Sequence, residues 1–367
     1  MLRAGIARKT ISPGARIRVF VVDDSVVIRR LVTHALSEDP ALQVVGVAAN
    51  GAIAMERIAQ LNPDVITLDI EMPDMDGLAV LRRIGNQAAR PRVVMFSTLT
   101  DRGAALTLES LALGADDYVT KAANVGSLDR SMASLRTELI PKIRQFFLIP
   151  GEVTAAKPPT AAPRPPGIPF LPVAGRQPKI LAIGVSTGGP TALGAIVPQF
   201  PADFPLPILI VQHMPPLFTR FLAERLQAGT QLRVEEAVDG APVTPGTVWI
   251  APGDYHMRVR NQGGKIVVRV DQSPPENSCR PSVDVLFRSV GEVYGGAAIS
   301  AVLTGMGQDG LLGAAALKAN GAYVIAQDEA TSVVWGMPGA VAGAGVANCV
   351  LPLHAVVPEV LRQVCRG

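Results

Sequence analysis

The chain has 367 residues, 48% apolar and 18% charged, which suits two globular domains of ordinary size and excludes a fibrous or disordered chain. Its formal charge of +3 is too small to call for nucleic acid or another polyanion, and much of it (Arg3, Arg8, Lys9, Arg16, Arg18) falls in or beside a segment, 1–16, expected to be a solvated arm. Cys279, Cys349 and Cys365 are odd in number and widely spaced, and no apolar run approaches about 18 residues, so a disulfide framework, a zinc motif, secretion and membrane insertion are unsupported and a cytoplasmic monomer is expected.

After the arm, Val19 to Val22 reads as a strand, and Ile28, Leu31, Val32, Ala35 and Leu36 follow at the i, i+3, i+4 spacing of a helix. Val44 to Val47, Asp64 to Leu68, Arg92 to Phe96 and Asp116 to Thr120 continue the alternation, which predicts a five-stranded, doubly wound parallel α/β domain over 17–140. Nine of the 29 residues from Pro150 to Pro178 are proline, so 141–178 is expected to be an extended linker. At about 3.1 Å per residue that proline-rich stretch spans up to roughly 90 Å.

From 179 to 367 the alternation resumes, with strands at Lys179 to Val185, Pro207 to Gln212, Ala297 to Leu303 and Ala322 to Ala326 and helices near 191–199, 216–228, 282–292 and 310–319. Tyr255 to Asn261 and Lys265 to Val270 flank Gly263-Gly264, which predicts an antiparallel hairpin inserted in a mostly parallel α/β domain.

In an open parallel sheet ligands bind beyond the carboxyl ends of the strands. In the first domain those ends are acidic: Asp23 and Asp24 follow the first strand and Asp69 ends the third. Three carboxylates so close repel unless a cation joins them, and hard oxygen ligands suit Mg²⁺. Ser97 after the fourth strand and Lys121 after the fifth add a hydroxyl and an ammonium, a set equipped to accept a phosphoryl group on a carboxylate. Asp23-Asp24 alone would equally cap a helix; five polar residues at the ends of four strands would not.

The motifs V-V-D-D-S at 21–25, L-D-I-E-M-P-D-M-D-G-L at 68–78, F-S-T at 96–98 and V-T-K at 119–121 resemble a response-regulator receiver domain of flavodoxin-like fold. The resemblance implies that Asp69 is the phosphoacceptor, that Asp23, Asp24, Asp69 and the Glu71 backbone carbonyl hold Mg²⁺, and that Ser97 and Lys121 are the switch residues. Ala122 follows the lysine where receivers commonly carry proline.

In the second domain G-V-S-T-G-G at 184–189 matches the G-x-S-x-G pattern of a nucleophile on a strand-to-helix turn, although a glycine loop cradling phosphate is the alternative. A serine needs a base, and the chain has four histidines: His34, His213, His256 and His354. His213 directly follows the next parallel strand and is favoured, with His256 as runner-up; His34 and His354 lie in helical segments. Asp309, after the strand Ala297 to Leu303, supplies an orienting carboxylate. The order Ser186, His213, Asp309 differs from that of chymotrypsin-like, subtilisin-like and α/β-hydrolase enzymes, so the roles rest on geometry. The chemistry predicted is acyl transfer with backbone amides stabilising the oxyanion.

V-Q-H-M-P-P-L-F-T at 211–219, W-I-A-P-G-D-Y-H-M at 249–257, R-P-S-V-D-V-L-F at 280–287, L-T-G-M-G-Q-D-G at 303–310 and A-Q-D-E-A-T-S-V-V-W-G-M-P at 326–338 resemble the catalytic domain of the CheB family of chemotaxis methylesterases. The likeness covers most of 18–140 and 179–363. It implies a Ser186-His213-Asp309 triad that needs no cofactor, with Thr187 supporting the nucleophile and the Met306 amide contacting the oxyanion. It further implies hydrolysis of glutamate methyl esters, with deamidation of glutamines, on methyl-accepting chemotaxis receptors, switched by a histidine kinase that phosphorylates Asp69. The long proline-rich linker adds the expectation that the unmodified receiver packs over the Ser186 cleft and that the acyl phosphate weakens this docking. Two positions depart from the family pattern: Cys279 stands where histidine is expected, and Gly339 where a basic residue is usual. The alternative is a receiver with a nucleotide-binding or non-catalytic adaptor output domain.

Overall fold

The computed structural model describes residues 9–85, 90–121, 132–133, 135–149 and 177–365. The chain divides into two compact units, one within Ala7–Val153 and one within Thr154–Gly367. Most of the proline-rich stretch and the peptide bond between Lys121 and Ala122 lie outside the described residues.

In the first unit, β1 (Lys9–Thr10), β2 (Ile17–Val22), β3 (Leu42–Ala48), β4 (Val65–Asp69), β5 (Arg92–Ser97), β6 (Asp117–Thr120) and β7 (Phe147–Leu148) are the strands. The main sheet has the order β3-β2-β4-β5-β6 and is parallel throughout, the flavodoxin-like arrangement expected. The residues of β4 and β5 are all buried, as their continuous apolar runs require of strands covered on both faces. Each of four helices begins at a short polar residue whose side chain accepts a backbone N–H: Ser25 from Ile28, Asn50 from Ile53, Asp76 from Ala79 and Thr100 from Gly103. Those caps fix the turns along the carboxyl edge, where the acidic residues sit.

The boundaries need correction. Lys9–Thr10, expected in a solvated arm, instead pairs in parallel with Phe147–Leu148, and Ile11 is 5% exposed. Lys9 Nζ meets Asp64 at 2.5 Å, and the Arg18 guanidinium donates to Leu61 O at 2.7 Å. Of the basic N-terminal residues, Lys9 and Arg18 are therefore bound to the domain. Likewise the helix Ile140–Arg144 and β7 extend this unit beyond the boundary placed at 140. Sequence periodicity misses such two-residue strands because they are too short to show alternation.

The second unit contains β8 (Ile180–Val185), β9 (Ile208–Gln212), β10 (Arg233–Glu236), β11 (Thr247–Ile250), β12 (His256–Gln262), β13 (Lys265–Asp271), β14 (Ala298–Val302), β15 (Tyr323–Gln327) and β16 (Cys349–Leu351). Seven of them form a parallel sheet in the order β10-β11-β9-β8-β14-β15-β16. From β8 the chain winds outward through β9 on one side, then crosses to β14 and winds outward on the other. The carboxyl ends of β8, β9 and β14 thus form the switch-point crevice where such sheets bind ligands. Strands β10, β11 and β16, not expected from the sequence, are only three or four residues long and two of them are edges, where the apolar signal is weakest.

The predicted hairpin is β12-β13, closed at Gly263 and Gly264, both at positive φ, as a two-residue hairpin turn demands. Its inner residues Met257, Val259 and Val268 join Leu286, Phe287 and Val290 of the helix Val283–Tyr294 in the core. This packing fixes the start of that helix beside the strand ends. No helix among the described residues is long and apolar enough to cross a membrane.

A buried ion cluster ties β5 of the first unit to the β6 turn: Asp116 accepts from Arg90 at 2.9 Å, Arg92 at 2.8 Å and the Val93 N–H at 2.8 Å. All three side chains are less than 8% exposed. Removing one partner of such a cluster leaves uncompensated charge in a low dielectric. Asp116→Ala is expected to destabilise the first unit by about 3–5 kcal/mol, measured by chemical denaturation of the intact chain.

Candidate functional sites

Ser186 directly follows β8 and His213 directly follows β9, and the parallel register pairs Val185 with Gln212. The serine and the histidine therefore leave adjacent strands side by side. The His213 N–H donates to Val185 O at 3.2 Å, the Ser186 N–H to Thr304 O at 3.0 Å, and the buried Gln212 amide to Ser186 O at 3.0 Å. Thr187, buried behind the serine, accepts the Thr304 hydroxyl at its carbonyl at 2.9 Å. Three strand ends are thereby laced together around residue 186.

Asp309 meets the imidazole from the loop after β14, its Oδ2 lying 2.8 Å from His213 Nε2. A carboxylate only accepts, so Nε2 carries a proton, and in the neutral imidazole the lone pair is on Nδ1. The rest of the Asp309 carboxylate is caged. Oδ2 also accepts from the Val283 N–H at 2.7 Å, and Oδ1 accepts from Asn277 Nδ2 at 2.8 Å, Ser282 Oγ at 2.9 Å, and the N–H groups of Gly310 at 3.0 Å and Asp284 at 3.1 Å. Val283 and Asp284 open a helix, whose N-terminus favours negative charge. Burial opposes ionisation of Asp309, but the His213 ring and these donors hold it well below the usual carboxylate range. Burial also works against the His213 cation, and the hydrogen bonds to Asp309 and Cys279 outweigh it, so the imidazole pKa is raised above the ordinary 6.5.

The structure joins His213 to Asp309 and places Ser186 one strand away; among the described residues the Ser186 hydroxyl makes no hydrogen bond. Catalytic contacts of this kind are often open before substrate binds. Gly305 lies against the serine: a Cβ there would come within 2.9 Å of Ser186 Cβ and 2.4 Å of Met337 Sδ, so only glycine admits this approach. The next N–H, that of Met306, has no acceptor among the described residues.

His256, the runner-up base, is fully buried, with one ring nitrogen 3.1 Å from Pro274 O and the other accepting the Ser282 N–H at 3.2 Å. It is a structural pin. His34 is exposed beside Glu38, and His354 is exposed in the last helix. Sequence reasoning missed Asn277 and gave no role to Ser282, which lies within R-P-S-V-D-V-L-F, or to Cys279, which it marked only as a departure from the family pattern. The loop before the helix Val283–Tyr294 turns through Asn277 and Ser278, both at positive φ, with Glu276 and Cys279 exchanging backbone hydrogen bonds of 3.1 and 2.8 Å. The turn presents Cys279 Sγ at 3.6 Å from His213 Nδ1.

In the first unit Asp23, Asp24 and Asp69 bring carboxylate oxygens within 4.8 Å of one another, as expected from the strand ends. Lys121 Nζ lies 2.9 Å from Asp23 Oδ2 and 2.8 Å from Asp69 Oδ2. Apart from this ammonium neither buried oxygen has a hydrogen-bond donor among the described residues. Burial, and then the charge of Asp23, push Asp69 up to about 6 despite Lys121. Under-neutralised hard oxygen ligands of this kind fit a divalent cation. Glu71 lines the same cavity while its carboxylate pairs with Arg102 at 3.1 Å. Ser97 also lines it, but its hydroxyl is not aimed at Asp69 as expected: it donates to Gly103 O at 3.1 Å and accepts from Thr107 Oγ1 at 2.7 Å. The helix Asp101–Leu113 supplies both partners and so competes for the hydroxyl.

Residues 181–360 match the CheB methylesterase family and residues 19–133 the response regulator receiver domain. A Trichodesmium erythraeum protein named protein-glutamate methylesterase/protein-glutamine glutaminase is 48% identical over 95% of this chain and 99% of its own length. A Nocardioides protein of the same name is 51% identical, covering 95% of this chain and 96% of its own. The crystal structure of the Thermotoga maritima CheB methylesterase catalytic domain, 46% identical, covers 52% of this chain and all of its own, with a TM-score of 0.50. The chain therefore belongs to the CheB methylesterase family, in the arrangement that joins a response regulator receiver domain to the methylesterase domain.

Proposed function

We propose that the second unit hydrolyses methyl esters of glutamate side chains on methyl-accepting chemotaxis receptors, and deamidates glutamines there, through Ser186, His213 and Asp309. The observation that carries this reading is the His213 imidazole, anchored by a caged carboxylate one strand from the serine, in a chain whose near full-length relatives bear the methylesterase/glutaminase name. A phosphate cradle or an adaptor domain would need neither the anchored imidazole nor the buried carboxylate.

His213 Nδ1 takes the Ser186 proton as Oγ bonds to the ester carbonyl carbon, and Asp309 steadies the imidazolium through Nε2. The Met306 N–H donates to the oxyanion in this reading, with Thr187 supporting the turn. The imidazolium then gives its proton to the departing methoxide, releasing methanol, or to the departing amine of a glutamine, releasing ammonia. Water, deprotonated at Nδ1, cleaves the acyl-serine to glutamate. No cofactor enters these steps.

In the first unit Asp69 accepts a phosphoryl group from a histidine kinase. Asp23, Asp24, Asp69 and the Glu71 carbonyl would hold Mg²⁺, which neutralises phosphoryl charge when bound. Lys121 pairs with a phosphoryl oxygen, and Ser97 reaches another after its hydroxyl leaves Gly103 O. That movement links the charge at Asp69 to the helix Asp101–Leu113.

Ser186→Ala is expected to lower methanol release from methylated receptor by roughly five to six orders of magnitude; turnover near wild type in a folded variant would remove the serine mechanism. Because the base must be neutral and its pKa is raised, kcat/KM should climb with pH along a limb centred above 6.5. Asp309→Asn should move that limb downward and lower the plateau by roughly 10³–10⁴. Acetyl phosphate with Mg²⁺ should raise hydrolysis several-fold in the wild type and leave Asp69→Asn unchanged, as read by the same methanol assay.

A further inference from the structure

We propose that Cys279 and His213 form a binding site for a thiophilic divalent cation, Zn²⁺ above all, and that occupancy shuts off hydrolysis. Cys279 Sγ lies 3.6 Å from His213 Nδ1. Two ligands on one tetrahedral zinc, with Zn–S of about 2.3 Å and Zn–N of about 2.0 Å, stand about 3.5 Å apart. The pair is thus already at ligand spacing. The opposite ring nitrogen donates to Asp309 at 2.8 Å, the carboxylate–histidine arrangement that fixes the tautomer of metal-bound imidazoles and raises their basicity. Sγ, a ring nitrogen and an Asp309 oxygen fall within 4.8 Å of one another. Asp309 is committed to Nε2 and its other donors, so it acts behind the histidine, and water completes the coordination.

The ligands are held rather than floating. The turn bearing Cys279 is clamped by Glu276, which takes two hydrogen bonds from Arg288 at 2.6 and 2.5 Å, and by Asn277, which donates to Asp284 at 2.9 Å and Asp309 at 2.8 Å. Cys279 is half-buried and the His213 side chain 13% exposed, so an ion has a route in from solvent. Binding displaces the thiol proton and occupies the Nδ1 lone pair. The inhibition, though not the binding, rests on His213 being the base.

Co²⁺ titrated into the intact, Mg²⁺-saturated chain is expected to give a thiolate-to-cobalt charge-transfer band at one equivalent, kept when Cys349 and Cys365 are both replaced by serine and lost in Cys279→Ser and Cys279→Ala. Zn²⁺ should inhibit the wild type at a concentration at least tenfold lower than it inhibits Cys279→Ser, each scaled to its own metal-free rate. Absence of the band, or its persistence in Cys279→Ser, would overturn the site. A Cys279-dependent band without inhibition would leave the site standing and count against His213 as the base.

Discussion

The carboxylate of Asp309 is buried, ionised and surrounded by donors, and the geometry of the crevice beside Ser186 and His213 follows from how that charge is kept. Five groups besides the imidazole point at its two oxygens, three of them backbone or side-chain donors at the start of the helix Val283–Tyr294. A carboxylate so placed has little freedom to rotate or to take up a proton. It therefore dictates which imidazole nitrogen is protonated and leaves the other facing the cleft. The helix is in turn set by packing against the β12-β13 hairpin, so a hairpin outside the main sheet decides where the His213 proton sits.

The receiver site shows the opposite electrostatic logic. Asp309 has more donors than it needs, whereas Asp23 and Asp69 share one ammonium and are left short of positive charge. The first arrangement stabilises a permanent anion; the second raises the Asp69 pKa and invites a cation or a covalent change. Ser97 lines the same cavity, but its hydroxyl is held by the helix Asp101–Leu113.

Much of this was legible in the sequence because parallel sheets concentrate chemistry at strand ends. Ser186, His213, Asp309, Asp23, Asp69 and Lys121 each directly follow or end an apolar run, or lie in the loop just beyond one, and the runs are long enough to read. The hidden parts have two causes. Short edge strands and the Lys9–Thr10 pairing carry too few residues for periodicity. The second is that loop residues such as Asn277, Cys279 and Ser282 acquire their roles through a turn at positive φ and a clamp from Arg288, which no linear spacing announces. The contact of Cys279 with His213 was hidden for the same reason: 66 residues separate the two in the chain.

Which nitrogen of His213 carries the proton decides whether Asp309 can anchor the ring and leave Nδ1 as the base. Nitrogen-15 NMR of the intact chain with labelled histidine, assigned with His213→Gln and recorded above the titration of the imidazole, reads this directly. A protonated Nε2 with a hydrogen-bonded proton shifted far downfield, and an unprotonated Nδ1, are predicted; a neutral His213 with its proton on Nδ1 would contradict the assignment of the base and of Asp309 as its anchor.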